Sequence, residues 1–281
     1  MTFAEVEAWV RANLPPAPAQ VLEVGAGDGE LARALRAAGY DVTAIDPKSD
    51  SPDVLPVALA DLPDPPRPFD AAVAVVSLHH VDPLEPSMQR LADVTAPSAP
   101  LLIDEFDVSA LDERTAAWWL EQRRARGGDE PETPAELIET MLAKVHPIEL
   151  LVDALAPWYE VGEPLRGTYL YRWKLDQSVR PVEERLIAAG ELPRTGVRII
   201  ARRRSRPRRA RSLVARDARL SGPPHKASLS WKRPEQPVSH PPFVLDERCR
   251  GVGSPQLAAQ ARCVRVERPR ARPGAKAPYV A

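Results

Sequence analysis

The stretch VLEVGAGDGELARAL, from Val21 to Leu35, places three glycines at every second position between an apolar run and an amphipathic run. The apolar run predicts a buried strand, and the run after the glycines, which ends at Gly39, predicts a helix. DVTAIDP, residues 41–47, predicts a second strand and completes a βαβ unit. The bare turn between strand and helix therefore lets a ligand approach the backbone closely, beside the amides of the helix N-terminus.

The sequence up to Arg204 predicts more elements of an α/β fold. Runs that are nearly continuous in Val, Leu, Ile and Ala suit parallel strands covered by helices on both faces. Strands are expected at 54–59, 70–77, 100–106, in YEVGEPL and TYLYRW, and finally at GVRIIARR. Helices are expected at 2–14, 84–94, 112–126, 133–145, 147–156 and 181–189. The prediction is a Rossmann-like, doubly wound, mostly parallel seven-stranded sheet with a helical insertion at about 107–156.

Charge divides the chain at Ser205. Residues 1–204 contain 21 Lys+Arg and 34 Asp+Glu, whereas residues 205–281 contain 17 and 5, so the two parts carry −13 and +12. The basic part is rich in Pro, Arg and Ser without a sustained period, which predicts a disordered tail. Two interpretations of RRRSRPRRAR, residues 202–211, stay open. One is a nucleic-acid-binding arm, and the favoured one is a solvated tail, such as the frame-shifted translation of a gene end.

The positions of the cysteines exclude several reaction classes. Cys249 and Cys263 both lie in the tail, so residues 1–204 can contain neither a disulfide nor a cysteine nucleophile. No stretch approaches the length of a membrane span, and the acidic start MTFAEVEAWV is unlike a secretory signal. We therefore expect a cytoplasmic protein with no membrane partner.

The residues around the glycines indicate which ligand binds. A dinucleotide-binding loop, GxGxxG, would need a glycine at the position of Glu30, which makes an NAD(P) oxidoreductase the least favoured class. Glu23 places a carboxylate before the glycines, which repels a pyrophosphate and suits an ammonium group. Asp46 ends the second strand, where an acid can accept hydrogen bonds from two ribose hydroxyls. The inferred ligand is a nucleoside with a positively charged end and no phosphates.

This sequence resembles a known family at several motifs. VLEVGAGDG followed by AIDP resembles the first two motifs of class I S-adenosylmethionine (SAM)-dependent methyltransferases. FDAAVAVVSLHHV, residues 69–81, resembles their fourth-strand motif, and PLLIDEF resembles the fifth strand, although APSAP replaces the usual glycine turn. The resemblance covers 20–106 and continues less specifically to Arg204, where YLYRW is similar to the end of some uncharacterised bacterial members. It implies a methyltransferase domain at 1–204, with the tail at 205–281 outside it.

The resemblance also assigns the residues that hold SAM, and it implies no metal site. Asp46 would hold the ribose, and Asp61 in LADLP would approach the adenine amine, unless Asp61 is only a solvated loop acid. The methionine part would be held by the acid and the turn that follow the first strand, which here are Glu23, Gly25, Ala26, Gly27 and Gly29.

Methyl transfer from a sulfonium is an in-line displacement, so positioning alone can supply roughly 7 to 11 kcal/mol of the barrier. His79 and His80, at the carboxyl end of the 70–77 strand, are the candidate general bases for a phenol, alcohol or amine acceptor. Only one of two adjacent residues normally faces a cleft, and packing or capping is the alternative for both. Asp104 and Glu105 are weaker candidates, for which we favour a solvated or helix-capping role.

The acidic body and the aromatic residues favour a small-molecule acceptor and disfavour nucleic acid. SLHHV stands where methyltransferases of amino groups commonly have a D/NPPY-like motif, and cytosine carbon methylation needs a cysteine nucleophile. Core packing is favoured over an acceptor pocket for the aromatic residues, which are Trp118, Trp119, Tyr169, Tyr171 and Trp173. The alternatives are an RNA methyltransferase or RNA-associated SAM-binding protein that uses the tail, and a SAM-binding protein without catalysis. The acceptor and the oligomeric state are not identified by the sequence.

Overall fold

The computed structural model describes residues 2–128 and 133–205. These residues belong to one compact unit, Met1–Ser212, and the second unit, Leu213–Ala281, lies outside them. The predicted disorder of the tail and its two possible roles therefore fall on residues beyond the described part of the chain.

The chain begins with a capped helix and then forms the predicted βαβ unit. In helix α1 (Phe3–Asn13), Thr2 and Glu5 form a reciprocal capping box. Strand β1 (Gln20–Val24) leads through the glycines into helix α2 (Glu30–Ala37), and strand β2 (Asp41–Ile45) pairs parallel to β1. The local prediction for this stretch is confirmed.

The other helices and strands of the described chain follow β2. They are β3 (Ala71–Val75), α3 (Leu84–Val94), β4 (Pro100–Phe106), α4 (Glu113–Ala125), α5 (Pro134–Lys144), α6 (Ile148–Leu155), β5 (Tyr159–Val161), β6 (Leu165–Gly167), α7 (Arg180–Ala188) and β7 (Gly196–Arg203). The helices α4, α5 and α6 lie in the predicted insertion between β4 and β5. No helix in the ranges described is long and apolar enough to cross a membrane.

The seven strands form one mostly parallel sheet, as predicted. The order is β2-β1-β3-β4-β7-β5, and β6 also pairs with β7. The first four strands in this order are parallel, whereas β7 is antiparallel to β4. From β1 the chain goes first to one side and then to the other, so β1 and β3 flank the switch point at which α/β proteins bind ligands.

Two predicted strands are wrong, for different physical reasons. The segment 54–59 forms only a single bridge, Leu55 to Ile45, because the adjacent Pro56 has no N–H to donate to a ladder. TYLYRW forms the 3₁₀ turn Leu170–Arg172, because the buried Glu183 carboxylate accepts the backbone N–H groups that a strand would use.

Helices cover both faces of the sheet. Neighbouring residues of a strand point to opposite faces, so they pack in different clusters. Val21 packs in the cluster that contains α1 and α2 residues, and Leu22 packs in the cluster that contains α3 and α6 residues. A third cluster joins the helical insertion to the end of β4. Trp119 and Tyr169 are buried in it, which confirms that they are core residues.

Candidate functional site

A cavity of about 410 Å³ lies at the carboxyl ends of β1, β2 and β3. This is the edge of the sheet at which the switch point predicts ligand binding. Three groups of residues line it. They are the strand ends with Val24, Gly25, Ile45, Asp46, Pro47 and Lys48, the segment Val57, Ala58 and Leu59, and the β3–α3 connection with Val76, Ser77, His80, Val81, Asp82 and Ser87.

Gly25 of the glycine turn lines this cavity, whereas Ala26, Gly27 and Gly29 are not among the described residues that do so. Gly25, Gly27 and Gly29 have φ angles of +69°, +57° and +82°, a region that side chains with a Cβ rarely adopt. A Cβ on Gly25 would stand 2.2 Å from the Cβ of Ser77, whereas a Cβ on Gly27 would meet no atom of the described residues within 4 Å. The turn is therefore closed against Ser77 at Gly25 and open at Gly27. Ala26 is held below it by an N–H bond to the Ile45 carbonyl.

Asp46 lines the cavity at the end of β2. Its Oδ2 accepts the N–H of Gly27 at 3.0 Å, and its Oδ1 accepts the N–H of Lys48 at 2.8 Å. A carboxylate has about four acceptor positions, so each oxygen can accept another hydrogen bond. The bond to Gly27 also joins the two predicted parts of the site, the glycine turn and the ribose acid, directly.

Glu23 lies beneath the turn and is absent from the residues of the described chain that line the cavity. It is 4% exposed, and its Oε2 has no hydrogen-bond partner among the described residues. Burial raises the pKa of Glu23 to about 8, and the nearby Arg36 and the backbone of Ala32 lower it only in part. The structure therefore places Glu23 beside the site as a largely protonated acid at neutral pH, whereas the sequence argument treats it as an anion.

Asp61 is exposed at the end of the 3₁₀ turn Leu59–Asp61. Ala58 and Leu59 of the same segment line the cavity, but Asp61 is not among the described residues that do so. Residues 58 and 59 therefore belong to the site, and the Asp61 carboxylate does not line it. A contact between Asp61 and adenine stays a prediction.

The two histidines lie on the 3₁₀ turn Leu78–His80 and have different environments. His79 is buried, and its Nδ1 bonds to Oε2 of Glu105. His80 lines the cavity, and its Nδ1 donates to the carbonyl of Lys144 at 3.3 Å. Partial burial and then the neighbouring His79 lower the pKa of His80. Only His80 can therefore present its second ring nitrogen, Nε2, to the cavity as a neutral acceptor.

The acids at the end of β4 are not solvated, contrary to the sequence expectation. Asp104 is 2% exposed and pairs with Arg172 and Arg198 at 2.7 and 3.0 Å. Glu105 is fully buried and accepts the N–H groups of Ser77 and Leu78. All partners of the two acids are distant in sequence, which is why local pattern does not reveal these contacts.

Two residues that line the cavity have properties that the sequence does not indicate. Val76 has a φ of +53°, which is an outlier for a β-branched residue and marks strain at a functional site. Ser87 on α3 is buried, and its hydroxyl has no hydrogen-bond partner in the described part of the chain. Neither property follows from residue type or spacing.

Comparison with known proteins assigns the chain to a family. A family profile described as a methyltransferase domain matches residues 2–143, half of the chain, so the protein belongs to this methyltransferase family. SAM is the methyl donor, and the activity is the transfer of its methyl group to an acceptor. Among the curated proteins compared, none matches the sequence.

The solved structures that are similar to this chain include methyltransferases of low sequence identity. A SAM-dependent methyltransferase from Methanosarcina mazei is 18% identical, with 69% of this chain and 97% of that chain covered and a TM-score of 0.46. One from Mesorhizobium loti is 14% identical, with 70% and 96% covered and a TM-score of 0.46. The 1,6-didemethyltoxoflavin-N1-methyltransferase of Burkholderia thailandensis, with S-adenosylhomocysteine bound, is 19% identical, with 71% and 77% covered and a TM-score of 0.42.

The residues of the cavity fit SAM. Gly25 and Asp46 line the cavity, and Asp46, which accepts the N–H of Gly27, offers its remaining acceptor positions to a diol. The segment from Val57 to Leu59 supplies an apolar wall that suits a base. SAM supplies a methyl group on a sulfonium, and the protein supplies the position from which an acceptor reaches it.

Proposed function

We propose that the protein methylates a small organic acceptor and that His80 accepts the acceptor's proton. The observation that carries this proposal is the position of His80, which lines the same cavity as Gly25 and Asp46. The site roles predicted for Glu23, Gly25, Ala26, Gly27, Gly29, Asp46 and Asp61 are part of the proposal. The cytoplasmic location remains a prediction.

The charge of the chain supports a small acceptor over nucleic acid. Residues 1–204 carry a net charge of −13, which repels a phosphate backbone. The cavity, at about 410 Å³, falls in the range typical of small-molecule sites, roughly 300 to 1,000 Å³. Because the cofactor also occupies it, an acceptor that reaches the methyl group there must be small or must present a narrow end.

His80 is suited to take a proton from a phenol, alcohol or amine. Because Nδ1 donates to the Lys144 carbonyl, Nδ1 carries the hydrogen and Nε2 keeps its lone pair. In the proposed step the bond from the acceptor atom to the methyl carbon forms while the sulfur–carbon bond breaks. The electron pair of the broken bond stays on sulfur, and the acceptor's proton goes to Nε2 of His80. Its lowered pKa keeps His80 neutral at physiological pH.

The acceptor class can be tested with the full-length protein and SAM. A panel of phenols, alcohols, amines and unmodified RNA would be incubated with the enzyme, and formation of S-adenosylhomocysteine would be measured. Turnover with a small acceptor supports the proposal. Turnover with RNA alone, lost when the four arginines within 206–211 are changed to glutamine, would replace it with the RNA alternative. Cofactor binding without turnover on the whole panel would favour the non-catalytic alternative.

His80→Gln tests the proton acceptor once an acceptor is found. A general base contributes about 10²- to 10⁴-fold, so kcat should fall by about that factor, with little change in the affinity for S-adenosylhomocysteine. In the wild type, activity should rise as the pH increases through the pKa of His80. This rise should be absent from the pH profile of His80→Gln. A kcat within twofold of wild type would exclude His80 as the base.

A further inference from the structure

Glu105, a residue outside the predicted site, holds the turn that carries the two histidines. It is fully buried at the end of β4, and its Oε1 accepts the N–H groups of Ser77 at 2.9 Å and Leu78 at 2.7 Å. Its Oε2 bonds to Nδ1 of His79. Three consecutive residues, 77–79, are therefore fixed by one carboxylate that lies 26 to 28 residues away in sequence.

This contact reaches the cofactor turn through Ser77. The Ser77 hydroxyl donates to the Val24 carbonyl at 2.7 Å, and the Ser77 side chain fills the space beside Gly25. The preceding residue, Val76, is the strained residue of the cavity wall. A backbone in an unfavourable conformation persists only where its surroundings hold it there, and Glu105 supplies that hold on the next two amides.

The same contact reaches His80 through His79. The two imidazole rings are 4.1 Å apart between centroids. The charged groups that act on His80 are His79 on its own turn, Glu105 on β4 and Lys48 after β2. On the side of the insertion, the Lys144 carbonyl accepts from its ring. Charges on the His79–Glu105 pair therefore act on His80 at short range.

We infer that Glu105 is a positioning residue of the active site, which sets both the shape of the cofactor turn at Ser77 and the protonation of the His80 ring. The second part rests on the proposed role of His80. The first part requires only SAM binding. In neither part does Glu105 touch the reacting atoms.

The protein contains a matched control for this inference. Glu183 is also fully buried and also holds a 3₁₀ turn, by accepting the N–H groups of Tyr169, Leu170 and Tyr171 at 2.8 to 3.1 Å. Its turn belongs to the aromatic side of the insertion and does not contribute to the described lining of the cavity. Glu105→Gln and Glu183→Gln thus make the same chemical change in the same kind of cap.

Two measurements on the full-length variants separate positioning from general stability. Calorimetry gives the affinity for S-adenosylhomocysteine, and NMR titration of the imidazole protons gives the midpoint of His80. Glu105→Gln should weaken the affinity about tenfold, since one charged acceptor of the turn is lost. It should also lower the His80 midpoint, because it removes the negative charge of Glu105, which raises the pKa of His80. Glu183→Gln should change neither value.

The outcomes decide the inference without knowledge of the acceptor. Equal effects of the two glutamine variants, or an unchanged His80 midpoint in Glu105→Gln, would overturn it. If Glu105→Gln does not fold, His79→Gln keeps the carboxylate cap and removes the intervening ring. In that variant the His80 midpoint should rise, because His79 lowers the pKa of His80, and an unchanged midpoint would overturn the link through His79. Failure of the acceptor panel would affect the proposed function and leave these measurements valid.

Discussion

Replacing Glu23 with glutamine should remove a pH dependence from the stability of the ligand-free protein. Burial raises the pKa of Glu23 from 4.5 to about 8 in the folded state. The unfolded chain exposes this glutamate at its ordinary value, so the folded state binds the proton more tightly. This contribution to stability is fully present below pH 4.5 and is lost as the pH rises through about 8.

The magnitude follows from the shift. One pKa unit corresponds to about 1.4 kcal/mol, so the whole shift corresponds to about 5 kcal/mol. About 3.5 kcal/mol of this falls between about pH 5 and pH 8. Glutamine is neutral throughout and has nearly the same shape. The free energy of unfolding of Glu23→Gln, relative to wild type, should therefore increase by about 3.5 kcal/mol across that range.

Urea unfolding followed by tryptophan fluorescence at several pH values measures this difference. Glu30→Gln, which changes an exposed carboxylate at the start of α2, is the control and should follow the wild type at every pH. If the stability of Glu23→Gln runs parallel to that of the wild type over the whole range, Glu23 is ionised in the folded protein and the reasoning is wrong.

Two further substitutions test the cofactor site by calorimetry with S-adenosylhomocysteine. Gly25→Ala should weaken binding by about tenfold or more, since its Cβ would meet Ser77 at 2.2 Å. Gly127 has a similar φ, +77°, and an ideal Cβ there would meet no described atom within 4 Å, so Gly127→Ala should leave the affinity unchanged, and equal losses in both variants would contradict the contact argument. Asp46→Asn should weaken binding about tenfold through the loss of a charged acceptor. An affinity within twofold of wild type would remove Asp46 from the proposed ribose site.

The parts of the fold that follow from local pattern could be predicted from the sequence. Apolar runs and punctuating glycines gave β1, α2 and β2, and the carboxyl ends of these strands brought the glycine turn and Asp46 together. What could not be predicted depends on buried carboxylates that act across the sheet. The Glu183 carboxylate accepts backbone N–H groups of TYLYRW and holds it as a turn instead of a strand. The Glu105 carboxylate accepts backbone N–H groups of SLHHV, next to Val76, whose φ is positive. Sequence reasoning favoured a solvated or helix-capping role for Glu105, because its partners are distant along the chain.

The buried glutamates also bear on the role of Glu23. Glu105 and Glu183 each have both carboxylate oxygens engaged, whereas Oε2 of Glu23 has no partner in the described chain. Buried polar atoms without partners are rare in native proteins, and each calls for a specific reason. Since Glu23 lies directly before the glycine turn, a cationic group bound above that turn would supply the missing stabilisation of its charged form. The proton of Glu23 would then leave when the cofactor binds, which reconciles a protonated acid in the ligand-free protein with the ammonium contact that the sequence predicts.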